Sequence, residues 1–333
     1  MYEGILSAIG NTPLVRLERI FPEIKFSLYA KLEALNPGGS MKDRPAVRII
    51  QDGLRTGAIH EDTVIVESSS GNMGIGLAQA CSYYGLRFIC VVDAKTSPQN
   101  IRLMQLYGAE IELVTKPDAI TGELLQARLN RVHEILSSVQ DSFWPNQYAN
   151  VCNSNSHHFT MEEVVTALGR VDYVFCATST CGTIRGCAEY VRDHNLPTKV
   201  FAVDAVGSVI FGGTRAKRLI PGHGAAVRPK LYQPHLSDRC IYMTDLDCVI
   251  GCHLLARREA ILGGGSSGAI MMAIDQVQDS IPRGAVCVAV LPDRGERYLD
   301  TIYSESWVKQ HFGDISHAGN TARETPSCIM ATY

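Results

Sequence analysis

The chain has 333 residues, 46% of them apolar and 20% charged, with a net charge of −3 from 31 Lys and Arg against 34 Asp and Glu. At roughly 150 residues per domain this length predicts about two domains, and the composition excludes a disordered or fibrous chain. The charge balance argues against a general nucleic-acid binder or a surface held to anionic lipid, since both need excess positive charge.

Along the chain, short β-branched runs bounded by Gly or polar turns alternate with segments of helical spacing. TVIVE at Thr63–Glu67 predicts a strand; the turn SSSGN follows, then a helix over Met73–Tyr84 stopped by Gly85. A strand over Arg87–Val92 precedes a helix over Pro98–Tyr107, with Ser97 as its N-cap and Gly108 as its stop. Glu110–Val114 predicts a strand, Gly122–Ser137 a helix, Tyr173–Ala177 a strand, Thr178–Thr183 a turn and Ile184–His194 a helix. Val200–Val203 and Ala285–Leu291 predict further buried strands. Such repetition implies mostly parallel sheets covered by helices, a three-layer α/β architecture. The last twenty or so residues lose periodicity and are expected to form a flexible tail.

No apolar run approaches the ~18 residues of a membrane span, and nothing at the start resembles a signal peptide. The expectation is a soluble, cytoplasmic protein with no membrane partner. Eleven cysteines sit mostly inside apolar stretches, such as FICVV around Cys90 and AVCVAV around Cys287. They are read as reduced and structural. No C-x-x-C pair occurs, and His157 and His158 lack spaced Cys, Asp or Glu partners, so no metal is expected.

Ligands of open parallel sheets collect at loops leaving the carboxyl ends of strands, which directs attention to four segments. Thr178–Thr183 (TSTCGT) offers hydroxyls and backbone N–H groups at a helix start, suiting a phosphate, although an ordinary capping turn reads the same way. Gly263–Gly268 (GGGSSG) would let a planar ring approach the backbone, with a serine hydroxyl near a ring nitrogen. Ser68–Asn72 presents three hydroxyls, a glycine and an amide before a helix, suiting a carboxylate. In Asn36–Pro45 (NPGGSMKDRP), Lys42 directly precedes a helix, where burial and the positive helix end would favour a neutral amine able to condense with an aldehyde. Amine, phosphate, ring and carboxylate sites together describe pyridoxal phosphate with an amino acid substrate.

NPGGSMKDRP, ESSSGNMGIGLA, LMQLYGAEIELV, GGGSSGA and LPDRGERYL, in this order, resemble the cysteine synthase family of fold type II pyridoxal-phosphate enzymes. The resemblance runs from Gly10 to Trp307. It implies two three-layer α/β domains: a larger cofactor-binding domain from 1–36 and 146–312, a smaller mobile one over 37–145, and the tail over 313–333. It also implies a homodimer. By position, Lys42 matches the Schiff-base lysine, Asn72 the asparagine on the cofactor 3′ oxygen, and Ser266 the serine on the pyridine nitrogen. Ser179, Thr180, Cys181, Gly182 and Thr183 match the phosphate cradle, while Ser69, Ser70, Gly71 and Gln147 match the grip on the substrate carboxylate.

Three departures stand out from the family's usual pattern: STCGT in place of G-T-G-G-T, Met73 in place of Thr, and Tyr148 in place of Phe. With NQYAN, VDAVGSVIFGG and SPQN they resemble a narrower branch. Its members join O-phospho-L-serine to L-glutamate, giving N-(2-amino-2-carboxyethyl)-L-glutamate, from which a partner dehydrogenase releases 2,3-diaminopropionate for siderophores and peptide antibiotics. Within that reading, Arg128 and Tyr148 are candidates to bind the phosphate or the glutamate carboxylate, with Arg215 and Arg218 behind them, because arginine's forked donors suit both anions. His223 stands where the branch tends to carry an apolar residue. The alternative reading is O-acetylserine or O-phosphoserine sulfhydrylation to cysteine. A non-catalytic cofactor-bearing module and a dinucleotide-dependent dehydrogenase are weaker readings.

Overall fold

The computed structural model describes residues 3–315. Strands β1 (Leu14–Leu17) and β2 (Ser27–Leu32) lead into α1 (Asp43–Thr56). Next come β3 (Val64–Ser68), α2 (Asn72–Tyr84), β4 (Phe88–Asp93), α3 (Pro98–Leu106), β5 (Glu110–Val114), α4 (Leu124–Ser138) and β6 (Ser142–Phe143). The chain then runs through α5 (Val151–Leu168), β7 (Tyr173–Ala177), α6 (Gly182–Asp193), β8 (Lys199–Ala205) and β9 (Arg239–Met243). It finishes with α7 (Asp245–Glu259), α8 (Gly265–Val277), β10 (Val286–Leu291) and α9 (Glu305–Phe312).

These strands form a six-stranded sheet, β1-β2-β10-β7-β8-β9, and a four-stranded sheet, β5-β4-β3-β6. Every pairing is parallel except β1 with β2. Alternation along β10 shows why both faces are covered. Cys287, Ala289 and Leu291 pack with α7 and α8 residues such as Val249 and Ile270, whereas Val288 and Val290 pack with Met161 of α5 and Ile184 of α6. The smaller sheet repeats the pattern: Ile65, Phe88 and Cys90 meet α1 and α2, and Val66, Ile89 and Val91 meet Val132 and Ile135 of α4. The architecture is therefore α/β with three layers around each sheet, as the alternation predicts.

The differences from the expected elements have local causes. Helix α4 starts at Leu124 rather than 122, because Gly122 holds a left-handed φ of 69° outside it. Helix α6 begins two residues before Ile184, inside the TSTCGT turn, and Ser97 holds the N-cap position of α3 without a side-chain capping bond. Several elements carry no expectation above, among them β1, β2, β6, α5, β9, α7 and α9. Helix α5 reads as polar and rich in Asn and Ser, types that locally favour turns; it forms because it packs closely on α6, where a Cβ at Gly186 would strike the Ser154 carbonyl. Among the described residues ten cysteines are free, no cluster of metal-ligating side chains exists, and no helix is long and apolar enough to cross a membrane. The tail expected over 313–333 lies, from 316 onward, outside the described residues.

Candidate active site

Lys42 occupies the N-cap position of α1, its backbone N–H on the Ser40 hydroxyl at 3.2 Å. The loop is held from behind, with the Met41 N–H on Pro292 O at 2.8 Å and the Arg294 N–H on Gly39 O at 3.2 Å. Lys42 is half-buried. Burial pushes its ammonium down to about 8, against the pull of the Asp293 carboxylate in the opposite direction. A lysine so placed carries a useful fraction of free amine near neutral pH.

The β3–α2 turn meets this loop through Asn72, the first residue of α2. Its Nδ2 donates to Asp293 Oδ2 at 2.7 Å, and its Oδ1 accepts from Arg297, whose guanidinium also donates to the Gly38 carbonyl. The three serines before it divide their tasks. The Ser69 hydroxyl accepts from the Gly74 N–H at 2.9 Å, which caps the turn and leaves its own proton to donate. Ser68 is buried, while Ser70 and Gly71 remain half-exposed, with Asn100 of α3 donating to the Ser70 carbonyl at 3.1 Å. Met73 is buried in the apolar layer beneath.

The segment 178–183 leads from β7 into α6. Thr180 accepts from Asn153 Nδ2 at 3.2 Å, and the same amide donates to the Gln147 carbonyl at 2.8 Å, tying the cradle to the buried Gln147. Cys181 is the N-cap of α6 in left-handed conformation, φ 65°, where glycine is the unstrained residue. Its thiol is buried against Met41, Ile184 and Ala225, and burial, with Asp204 nearby, pushes it up to about 12. Thr183 donates to the Met41 sulfur at 3.8 Å, which brings this turn against the Lys42 loop.

The glycine turn 263–265 completes the group. The Gly264 N–H donates to the Asp293 carbonyl at 3.2 Å, and a Cβ at Gly264 would run into Asp293 and Tyr298, so only glycine fits. Ser266, in the first turn of α8, is half-exposed, whereas its neighbour Ser267 is buried. The four turns thus share one locality, joined by Asp293 and Asn153. Lys42, Asn72, Ser179 and Ser266 keep part of their surface accessible, while the residues following each are buried. An amine of lowered basicity, an amide, a hydroxyl-bearing helix start and a neutral hydroxyl at a second helix start are the donor set that pyridoxal phosphate requires, so the residues fit that cofactor.

A family model described as "pyridoxal-phosphate dependent enzyme" matches residues 5–293. The chain belongs to this family. The chain is also similar to solved structures of three enzymes. With a hydrogen sulfide-producing enzyme from Fusobacterium nucleatum it shares 33% identity, covering 90% of this chain and 98% of that one, with a TM-score of 0.84. An O-acetylserine dependent cystathionine β-synthase from Helicobacter pylori is 30% identical over 91% and 99% of the chains, TM-score 0.84. A cysteine synthase from Entamoeba histolytica is 31% identical over 91% of each, TM-score 0.85. The protein is a pyridoxal-phosphate dependent β-replacement enzyme of the cysteine synthase type, with fold type II architecture.

In this pyridoxal-phosphate enzyme the basic residues expected at the substrate end are unequal. Arg128 of α4 is largely buried and paired with Asp93, Nε to Oδ2 3.2 Å. The phenol of the half-buried Tyr148 is raised in pKa by desolvation and lies within electrostatic reach of both Arg128 and Arg218. Arg218 is half-buried and donates to the His223 carbonyl at 2.7 Å. Arg215 is exposed and paired with Glu123, and its charge still reaches Arg218. His223 is buried, and desolvation together with Arg218 pushes its imidazole down to about 4, leaving it neutral. His157 is buried on α5, 3.1 Å from the Thr160 hydroxyl, and His158 pairs with Glu189 at 3.3 Å; both make core or surface contacts. Asp293, Arg297 and Asn153 were not singled out from the sequence. The first two lie inside the motif LPDRGERYL, where polar residues between a strand and a glycine were the available signal.

Proposed function

We propose that this enzyme joins O-phospho-L-serine to L-glutamate, giving N-(2-amino-2-carboxyethyl)-L-glutamate and phosphate. The observation that carries the reading is that two guanidiniums, Arg128 from the smaller sheet's side and Arg218 from the larger's, both lie within electrostatic reach of the Tyr148 phenol. Two substrates that each bring an anion beyond their amino acid core, a phosphate and a side-chain carboxylate, match that supply. The departures at Cys181, Met73 and Tyr148 point the same way.

Bound pyridoxal phosphate would withdraw electrons from the substrate's α-carbon, so that the α-proton becomes acidic and the β-substituent can leave. Lys42 would hold the cofactor, then take the α-proton as general base and later return a proton to the same carbon. Asn72 and Ser266 would fix the cofactor's ring, and Ser179, Thr180, Cys181, Gly182 and Thr183 its phosphate. Ser69, Ser70, Gly71 and Gln147 would hold the substrate carboxylate. Arg128 and Tyr148 would receive the departing phosphate or the incoming carboxylate. We take 37–145 as the part that closes over the substrates against 1–36 and 146–312, in a homodimer whose product passes to a dehydrogenase.

Sulfhydrylation of O-acetylserine or O-phosphoserine is the second reading, favoured by the 31% identity to a cysteine synthase. One experiment separates them: offer the enzyme phosphoserine with an equimolar mixture of glutamate, other free amino acids and sulfide, and weigh the product by mass spectrometry. The glutamate adduct is expected. Cysteine as the sole product would overturn the first reading.

A further inference from the structure

Asp293 is a buried carboxylate with a place in the site that the family resemblance does not give it. It lies directly beyond β10 and is 2% exposed. Its Oδ2 accepts from the Asn72 amide at 2.7 Å and from the Tyr298 hydroxyl at 2.6 Å. Its Oδ1 is buried against Gly264 and has no hydrogen-bond partner. Its backbone bridges to Ser40 and to Gly264, so one residue touches the lysine loop, the start of α2 and the glycine turn together.

The Asn72 side chain is gripped at both ends, its oxygen by Arg297 and its nitrogen by Asp293. An amide held so cannot flip, and only one of its two N–H groups remains free for a ligand. The groups around the carboxylate are Lys42, Arg297, Tyr298, Cys252 and Tyr303; around Lys42 they are Asp293 and His157. His157 is held neutral by burial. Asp293 is therefore the carboxylate whose charge acts on the Lys42 nitrogen, from a residue whose backbone bridges to Ser40 of the lysine loop, in a setting where burial strengthens such an interaction.

We propose that Asp293 is a positioning residue of the cofactor site, its carboxylate orienting the Asn72 amide and supplying the negative charge that faces the Lys42 nitrogen. Burial opposes ionisation of Asp293, while Tyr298, Asn72, Arg297 and Lys42 favour it. Removing the charge should make Lys42 lose its proton at lower pH. The inference rests on the assignment of Lys42 and Asn72 to the cofactor and not on the choice of acceptor, so it can fail while the glutamate reading stands, and the reverse.

The test is a pH titration of the visible absorbance of the holoenzyme, comparing the parent with Asp293→Asn and Tyr298→Phe. In D293N the midpoint should fall by at least about one pH unit, the tenfold change expected for loss of a facing charge. Y298F keeps the carboxylate and should stay within about 0.3 unit of the parent. An unchanged midpoint in a D293N protein with the parent's melting transition overturns the proposal, as does an equal shift in Y298F. If D293N fails to hold the cofactor, acylation of Lys42 in the full chain freed of cofactor replaces the titration. Labelling at pH 7 should then rise about fivefold relative to the exposed lysines, the gain in free amine when a value near 8 falls by one unit, and an unchanged rate overturns the proposal.

Discussion

At the residue scale, the second of the cradle's two departures from glycine, Cys181, has a legible chemistry. Cys181 takes a backbone conformation that side chains rarely adopt, and its thiol turns into the apolar layer with Met41 and Ala225. The sequence reads the cysteines as reduced and structural; at Cys181 the structure supplies a cause, desolvation of the thiol. Cys181 should therefore alkylate with iodoacetamide at pH 8 at least about a hundredfold more slowly than free cysteine, because the thiolate is the reacting form. Mass spectrometry of the labelled peptides reads this, and rapid labelling in the folded protein refutes it. Arg128 makes the second prediction at this scale. With Arg128 paired to Asp93 rather than to the cofactor turns, R128A should leave cofactor binding within about twofold while raising KM for phosphoserine or glutamate about tenfold or more, the value of one charged contact. Steady-state kinetics with each substrate varied decides it. Lys42, Asn72 and Ser266 were legible because each sits in a compact motif. Asp293 and Asn153 were not, since their partners lie 221 and 27 residues away, and nothing local marks such contacts.

At the scale of elements, Glu67 at the end of β3 anchors the segment that carries Gln147 and Tyr148. Its carboxylate accepts from the Ser68 N–H at 2.8 Å, the Trp144 indole at 3.2 Å and the Gln147 N–H at 3.2 Å. Burial nonetheless pushes it up to about 7. A carboxyl whose folded value is raised adds stability that is complete below the unfolded value near 4.3 and is lost as pH rises through the folded one. The parent should thus lose roughly 2–3 kcal/mol between about pH 4.5 and 7.5 on this account. Glu67→Gln should flatten that part of the profile, and denaturant unfolding at several pH values measures the difference. Parallel slopes for the two proteins would contradict it. From β3 to α4 the strands and helices around the smaller sheet were readable to within two residues because each carries a clean period, with α2 and α3 stopped by Gly85 and Gly108, whereas the two-residue β6 is too short to show one. Helix α7 was missed although Thr244 and Asp247 form a complete capping box, and α5 because its polar composition hides a helix made by contact with α6.

At the scale of the whole molecule, the four-stranded sheet is an insertion into the six-stranded one, entered after β2 and left before β7. Helix α1 packs on both α2 and α5, and so lies between the two sheets. The ion pair of Arg215 with Glu123 reaches across at the surface, with the arginine side chain 52% exposed. An exposed pair adds little, so Glu123→Gln should change unfolding free energy by less than about 1 kcal/mol. A larger loss in denaturant titration would show that this contact holds the two sheets together. Alternation of strands and helices made the class of fold readable, but not the order of strands: β2 gives no hint in its own residues that its neighbour is β10.

That neighbour has a consequence for how the protein is made. Residues 27–32 wait for residues 286–291 before their parallel ladder can close, while every strand of the inserted sheet has left the ribosome by residue 143. During synthesis the inserted unit can acquire its structure early, but the sheet that presents Lys42 stays open along one edge of β2 until β10 emerges. The amine therefore reaches its sheltered setting only after residues 286–291 have joined the sheet, and a nascent chain should not capture the cofactor in its finished geometry before then.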